Sequence, residues 1–147
     1  LFSLVNMFER EQPEFVLMVL NVCFRGGDAA LLRAIREVTL DQLGSLMDEI
    51  IAQGVREGIF YTRQMGGIGR LLLLLAHDVE DEAARLLVSG EGKPESVVAV
   101  IDVLNVYRDS VELLLNAPYG SVRLFDVDRV LKVCRAVLPG LEPGEDE

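Results

Sequence analysis

Apolar positions along the chain recur every three to four residues almost from end to end, which is the spacing of one face of an α-helix. Breaks in that rhythm divide it into about six helical segments. Leu1, Phe2, Leu4, Val5 and Phe8 open it, and the first segment, residues 1–10, reads as the tail of a helix. Pro13 suits the first turn of a second helix that runs to Phe24 and stops at Arg25-Gly26-Gly27. Asp28 is placed to cap a third, with Leu31, Leu32, Ile35 and Val38 on one face. Thr39-x-x-Gln42 has the form of a capping box, and a bend is expected there, although the apolar phase continues through Leu43, Leu46, Met47 and Ile50. This fourth segment ends at Gly58. A fifth helix is expected from Thr62 to Ser89, closed by Gly90-Glu91-Gly92, and another from Pro94 to Asn116-Ala117-Pro118. After Tyr119-Gly120-Ser121, a last helix is expected from Phe125 to Leu138, stopped by Pro139-Gly140. The fold class is therefore all-α, a helical bundle, with residues 1–140 as one domain and the acidic residues 141–147 as a solvated, disordered tail.

Two stretches are apolar beyond what an amphipathic helix needs. Leu71–Leu75 is a run of five leucines, and Val97, Val98, Ala99, Val100, Ile101, Val103, Leu104 and Val106 leave little polar face. A helix that is apolar all round must be covered on more than one side. One cover is a symmetry mate, through a four-helix interface carried by Leu71, Leu74 and Leu75 with Val97, Val100, Ile101 and Leu104; a two-fold dimer is the commonest form. The other cover is the third and fourth helices of the same chain. The valine-rich stretch also has β-propensity, but its length and the flanking Pro94 and Pro118 favour helix.

Composition narrows the function. Half of the 147 residues are hydrophobic, enough for a sizeable core without disulfides or metals, and charged residues make up 26%. The formal net charge is −10, with Lys93 and Lys132 the only lysines. A chain that gripped nucleic acid by itself would carry a basic stripe; direct DNA contact by this chain is not expected. Cys23 and Cys134 both lie in apolar helical stretches and read as buried free thiols, which suits a reducing cytoplasm. No signal peptide is visible, and the longest uncharged apolar run, Phe15–Phe24, is too short to span a bilayer.

The segment Ile50-Ile51-Ala52-Gln53-Gly54-Val55-Arg56-Glu57-Gly58-Ile59-Phe60 reads as the end of an amphipathic helix, a glycine stop and an apolar pair folded back. Arg56 stands where the helix dipole favours a cation, and Gly58 suits the left-handed position after the helix. The pattern II-x-x-G-x-x-x-G-x-F resembles a helix ending in the C-terminal regulatory domains of TetR-type transcriptional regulators. A second window, Tyr107-Arg108-Asp109-Ser110-Val111-Glu112-Leu113-Leu114-Leu115-Asn116-Ala117-Pro118-Tyr119-Gly120-Ser121, resembles another: Y-R-x-x-x-E-x-x-L, a turn, then G-S. Asn116 stands where glycine is more usual, and asparagine tolerates the left-handed geometry. Leu124–Leu131 is similar to the start of the family's last helix.

The resemblance implies an all-helical domain that dimerises through its two penultimate long helices and encloses a small-molecule pocket. Effector binding would shift the helix joining it to an N-terminal helix-turn-helix domain, and DNA would be released. That DNA-binding domain is absent from this chain, which begins at Leu1 without an initiator methionine; residues 1–10 would be the remnant of the joining helix. The effector would be small and apolar or amphipathic, bound between the second, fourth and fifth helices. Pocket candidates are the soft or polar groups in apolar stretches: Met18, Asn21, Cys23 and Phe24, then Met47, then Met65 and Leu72. Asn21 stands out because a buried amide needs a partner.

Other chemistry finds less support. His77, the only histidine, forms an i, i+4 pair with Asp81. Imidazole and carboxylate at that spacing can bind a divalent metal, but a solvated acidic stretch explains them better, and no metal or cofactor is expected. Gly66-Gly67-Ile68-Gly69 lacks the preceding strand of a phosphate cradle and reads as a site of close helix packing or as a flexible way into a pocket. No nucleophile with a base and an orienter stands out, so an enzyme is not expected. The rival to the sensor is a helical homodimeric interaction module with no small-molecule ligand.

Overall fold

The computed structural model describes residues 29–90 and 93–137, and every regular element among them is helical. Four helices follow one another: α1 Ala29–Arg56, α2 Ile68–Ser89, α3 Pro94–Leu115 and α4 Val127–Val137. The all-α expectation holds over these residues. The segments expected at residues 1–10 and 13–24, the Asp28 cap and the tail at 141–147 lie outside them.

The sequence boundaries shift at two points. The third and fourth segments form one unbroken helix, because the Thr39 hydroxyl donates back to the Ile35 carbonyl at 2.9 Å and caps no new helix start. The fifth helix starts at Ile68 rather than Thr62: Gly67 takes the left-handed conformation, φ 84°, at its N-terminus. Elsewhere the signals act where they stand. Pro94 is in the first turn of α3. The Asp126 carboxylate accepts from the N–H groups of Asp128 and Arg129, a side-chain cap on α4.

Helix α1 runs antiparallel to α2, as successive links show: Arg36 with Asp81, Asp41 with Arg70, and Asp48 with the backbone of Gly67 and Gly69. Gly69 has no room for a side chain, since a Cβ there would lie 2.6 Å from the Asp48 nitrogen and 2.8 Å from the Gly44 carbonyl. Of the glycine-dense segment, Gly69 serves close helix packing and Gly67 the left-handed turn before α2, while a Cβ on Gly66 would meet nothing. Helix α3 returns antiparallel to α2, and two core clusters form along the pair. One joins Ile51 of α1 to Ile68, Leu72 and Ala76 of α2 and Tyr107, Val111 and Leu115 of α3. The other joins Ala83, Ala84 and Leu87 to Val97, Val100 and Leu104 and to α4, whose Val130, Val133, Cys134 and Val137 lie on one face. No helix among the described residues is long and apolar enough to cross a membrane.

Candidate functional site

The two glycine- and asparagine-ended windows, residues 50–60 and 107–121, meet in space. At the end of α1, Gly58 has φ 73°; its N–H donates to the Val55 carbonyl at 3.1 Å, and the Ile59 N–H donates to Gly54 at 2.8 Å. This pair of bonds is a Schellman ending. Phe60 folds back so tightly that a Cβ on Gly54 would lie 2.3 Å from its ring, so the Gly54–Gly58–Phe60 pattern has one physical cause: one glycine makes room for the ring and the other turns the chain. Ile59 stays exposed. The Tyr61 N–H then donates to the Leu115 carbonyl at 2.9 Å, tying this ending to the last turn of α3.

Helix α3 ends the same way with asparagine. Asn116 has φ 48°, its N–H donates to Leu113 and the Ala117 N–H donates to Glu112. Glu112, almost fully buried, accepts through Oε2 from the Gly120 N–H and through Oε1 from the Val122 N–H, both at 2.9 Å. One carboxylate therefore holds the loop after α3 in place. About a turn and a half earlier, the buried Tyr107 hydroxyl donates to the Leu72 carbonyl at 3.0 Å, and burial, with the Glu80 charge nearby, raises its pKa. The sequence pattern marked Tyr107 and Glu112 without giving either a task.

A polar group sits at the α1–α2 boundary. His77 Nδ1 lies 3.5 Å from Glu80 Oε2, with both side chains 12% exposed. Asp81, which the sequence sets at i, i+4 from His77, pairs with Arg36 of α1. Burial lowers the His77 pKa, the Glu80 charge opposes that shift, and the Arg36 charge adds to it. Among the described residues no group of three or more histidine, cysteine, aspartate or glutamate side chains is arranged to hold a metal.

Met18, Asn21, Cys23 and Phe24 lie outside the described residues. Met47 is half-buried, with its Cβ against Gly69; Met65 is exposed in the loop before α2; Leu72 is buried in the core. These three do not line one described cavity. A surface groove does run along α1, lined by Leu46, Glu49, Ile50, Ala52, Gln53 and Arg56. Cys134 is a free thiol in the core, its pKa pushed up to about 11 by burial.

The residues named for a dimer interface separate into two sets. Val97, Val100 and Leu104 are buried inside the chain against α2 and α4, and Leu75 and Ile101 are half-buried. Leu71 and Leu74 are 43% and 41% exposed. The outer side of α3 carries exposed apolar residues outside that interface set: Val98 at 60%, Val106 at 65% and Leu113 at 82% exposure. Among the described residues, α2 and α4 cover one side of α3, and on its other side Val98, Val106 and Leu113 alternate with Glu95, Asp102 and Asp109.

No family model, no curated protein and no solved structure matches the chain.

Proposed function

We propose that this chain is the effector-sensing and dimerisation domain of a TetR-like transcriptional regulator. The observation that carries the reading is the junction of its two family-like windows: the Gly54–Gly58–Phe60 ending of α1 and the Asn116 ending of α3 are joined by the Tyr61–Leu115 hydrogen bond. Exposed Leu71 and Leu74 on α2, with Val98, Val106 and Leu113 set among Glu95, Asp102 and Asp109 on the outer side of α3, leave apolar surface that a dimer would cover, which supports dimerisation. In this reading a small apolar or amphipathic molecule binds inside the bundle and no reaction is catalysed. DNA is contacted by an N-terminal helix-turn-helix domain, not by this acidic chain. The finer description, a bundle of about six helices of the TetR C-terminal type, belongs to the same proposal.

A ligand that binds only the folded state raises its melting temperature by mass action. Thermal unfolding against a chemically broad library tests the sensor: apolar or amphipathic hits support it, and silence across the library removes it. One observation favours the rival, a homodimeric interaction module without a ligand: Leu72, a pocket candidate, is packed fully into the core. Silence across the library combined with a dimer in solution would select that rival.

A further inference from the structure

The first half of α1 turns an apolar stripe outward. Ile35 and Val38 are 55% and 53% exposed, and Leu31, one turn before them on the same face, is 57% exposed. Leu40, between the two residues that pair with α2, is buried on the other side. The two core clusters take only Ile51 from α1. Apolar residues repeated at i, i+4 and i+7 mark a helix face that packs against another element.

The chain holds a segment that fits this face. Residues 1–28 precede α1 outside the described residues and end where the stripe begins. Within them, residues 13–24 have the pattern of a helix opened by Pro13, and from Phe15 to Phe24 only Asn21 is polar. A helix of that composition needs cover on more than one side. Only Arg25-Gly26-Gly27-Asp28 separate it from α1. Two helices joined by a link of two to five residues form an antiparallel hairpin. With Phe24 level with Ala29, position 18 falls opposite 35, 15 opposite 38 and 22 opposite 31. Those positions hold Met18, Phe15 and Val22, so each exposed residue of the stripe faces an apolar one. A helix over 13–24 reaches about 18 Å at 1.5 Å per residue, far enough to pass Val38. The short link also decides between occupants. It holds the segment at an effective concentration on the order of millimolar, which a second copy at micromolar concentration does not match.

We propose that residues 13–24 fold back antiparallel on the first half of α1 and cover Ile35, Val38 and Leu31. The face is then internal to the chain, whether or not the chain senses an effector.

The test uses the full chain with Cys23→Ser, in which the remaining Cys134 is buried. Met18→Cys is combined with Ile35→Cys and treated with a short bis-maleimide. The expected product is a link within one chain, formed about tenfold or more faster than in Val16→Cys with Ile35→Cys, because position 16 stands on the far side of a helix from 18. Phe15→Cys with Val38→Cys should link as fast as the first pair, and it keeps the test decisive if the first variant fails to fold. Equal rates for positions 16 and 18 overturn the docking. Links between two chains, at a rate that rises with protein concentration, overturn it in favour of a second copy on the stripe. Slow reaction in all three variants overturns it by showing that residues 13–24 lie away from α1.

Discussion

The Asp48 carboxylate, in the second half of α1, caps the start of α2: its Oδ1 accepts from the Gly69 N–H at 2.6 Å and its Oδ2 from the Gly67 N–H at 2.8 Å. An ordinary helix cap comes from the residue next in sequence. This one comes from another helix, so one side chain satisfies free N–H groups, complements the positive end of α2 and fixes the α1–α2 register. Asp48→Ala should cost roughly 1–2 kcal/mol, the usual worth of a lost cap. Asp48→Asn keeps an acceptor and should cost less. Urea unfolding of the three proteins checks the order, and equal midpoints for wild type and Asp48→Ala would show that the cap contributes nothing.

Gly54 and Phe60 should behave as a coupled pair. In an open helix, Gly→Ala is worth up to about 1 kcal/mol in favour of alanine. Here a Cβ would lie 2.3 Å from the Phe60 ring, and overpacking of that kind costs about 1–3 kcal/mol. Gly54→Ala should therefore destabilise the wild type yet become neutral or stabilising in a Phe60→Ala background. The double-mutant cycle isolates the contact, and additive effects would mean that the ring moves aside freely.

Local chemistry explains what the sequence made legible and what it hid. Gly58, Asn116 and Pro94 act through their own backbone preferences, so their roles as stop, left-handed turn and helix start are visible in the residues alone. Thr39-x-x-Gln42 misled because a threonine can bond either forward as a cap or back to the preceding turn, and only the continuing apolar phase of α1 decides between them. The start of α2 lies later than the local pattern indicates because its cap, Asp48, is distant in sequence. The side of α3 that stays open was illegible for a similar reason. Val97 and Val98 are both valines, and which of them is buried depends on where α2 and α4 dock. Of the candidate pocket, only Met47, Met65 and Leu72 fall among the described residues, and periodicity could not tell a core leucine from a lining one.

Glu112 should be the least replaceable polar residue after α3 begins. Its buried carboxylate meets two backbone N–H groups of the following loop. Removing it takes the acceptor from both donors, and since Gly120 is exposed and Val122 half-buried, water can take its place in part; the loss is on the order of 1 kcal/mol per bond. Glu112→Ala should lose about 1–2 kcal/mol and expose residues 117–123 to limited proteolysis. Glu112→Gln keeps one acceptor oxygen and should fall between. Unchanged proteolysis in Glu112→Ala would show that the loop holds its shape by other means.

The stability of the fold should depend on pH through His77. Burial lowers its pKa below the usual 6.5, the Glu80 charge partly offsets this, and the Arg36 charge adds to the lowering. The unfolded chain then takes up a proton at a higher pH than the native chain does. As pH falls through about 6.5, the unfolded state gains protons first, so the native state loses stability; the loss levels off below the native pKa. Above that window His77 is neutral in both states and adds no slope. Urea midpoints of wild type and His77→Gln, compared from pH 8 to pH 5, should diverge as the pH falls, with the wild type losing more. An NMR titration of this single histidine should give a midpoint below 6.5, and a midpoint above it would reverse the sign of the argument.

The outer side of α3 should carry self-association without carrying the fold. Val106 and Leu113 are 65% and 82% exposed, so a charge at either touches no core contact, and surface changes of that kind usually alter stability by no more than about 0.5 kcal/mol. In a dimer joined through this face, the same charge is buried against a partner and is strongly unfavourable. Val106→Glu and Leu113→Glu should therefore leave the circular dichroism spectrum and the urea midpoint almost unchanged while converting dimer to monomer in sedimentation equilibrium at micromolar concentration. Val100→Glu is the contrasting substitution: Val100 is fully buried between α2 and α4, and a charge there should unfold the chain. If the wild type already sediments as a monomer, the two-fold dimer is wrong. If it is a dimer that survives both surface substitutions, the interface lies elsewhere, and the half-exposed α1 stripe of Leu31, Ile35 and Val38 is the next face to test.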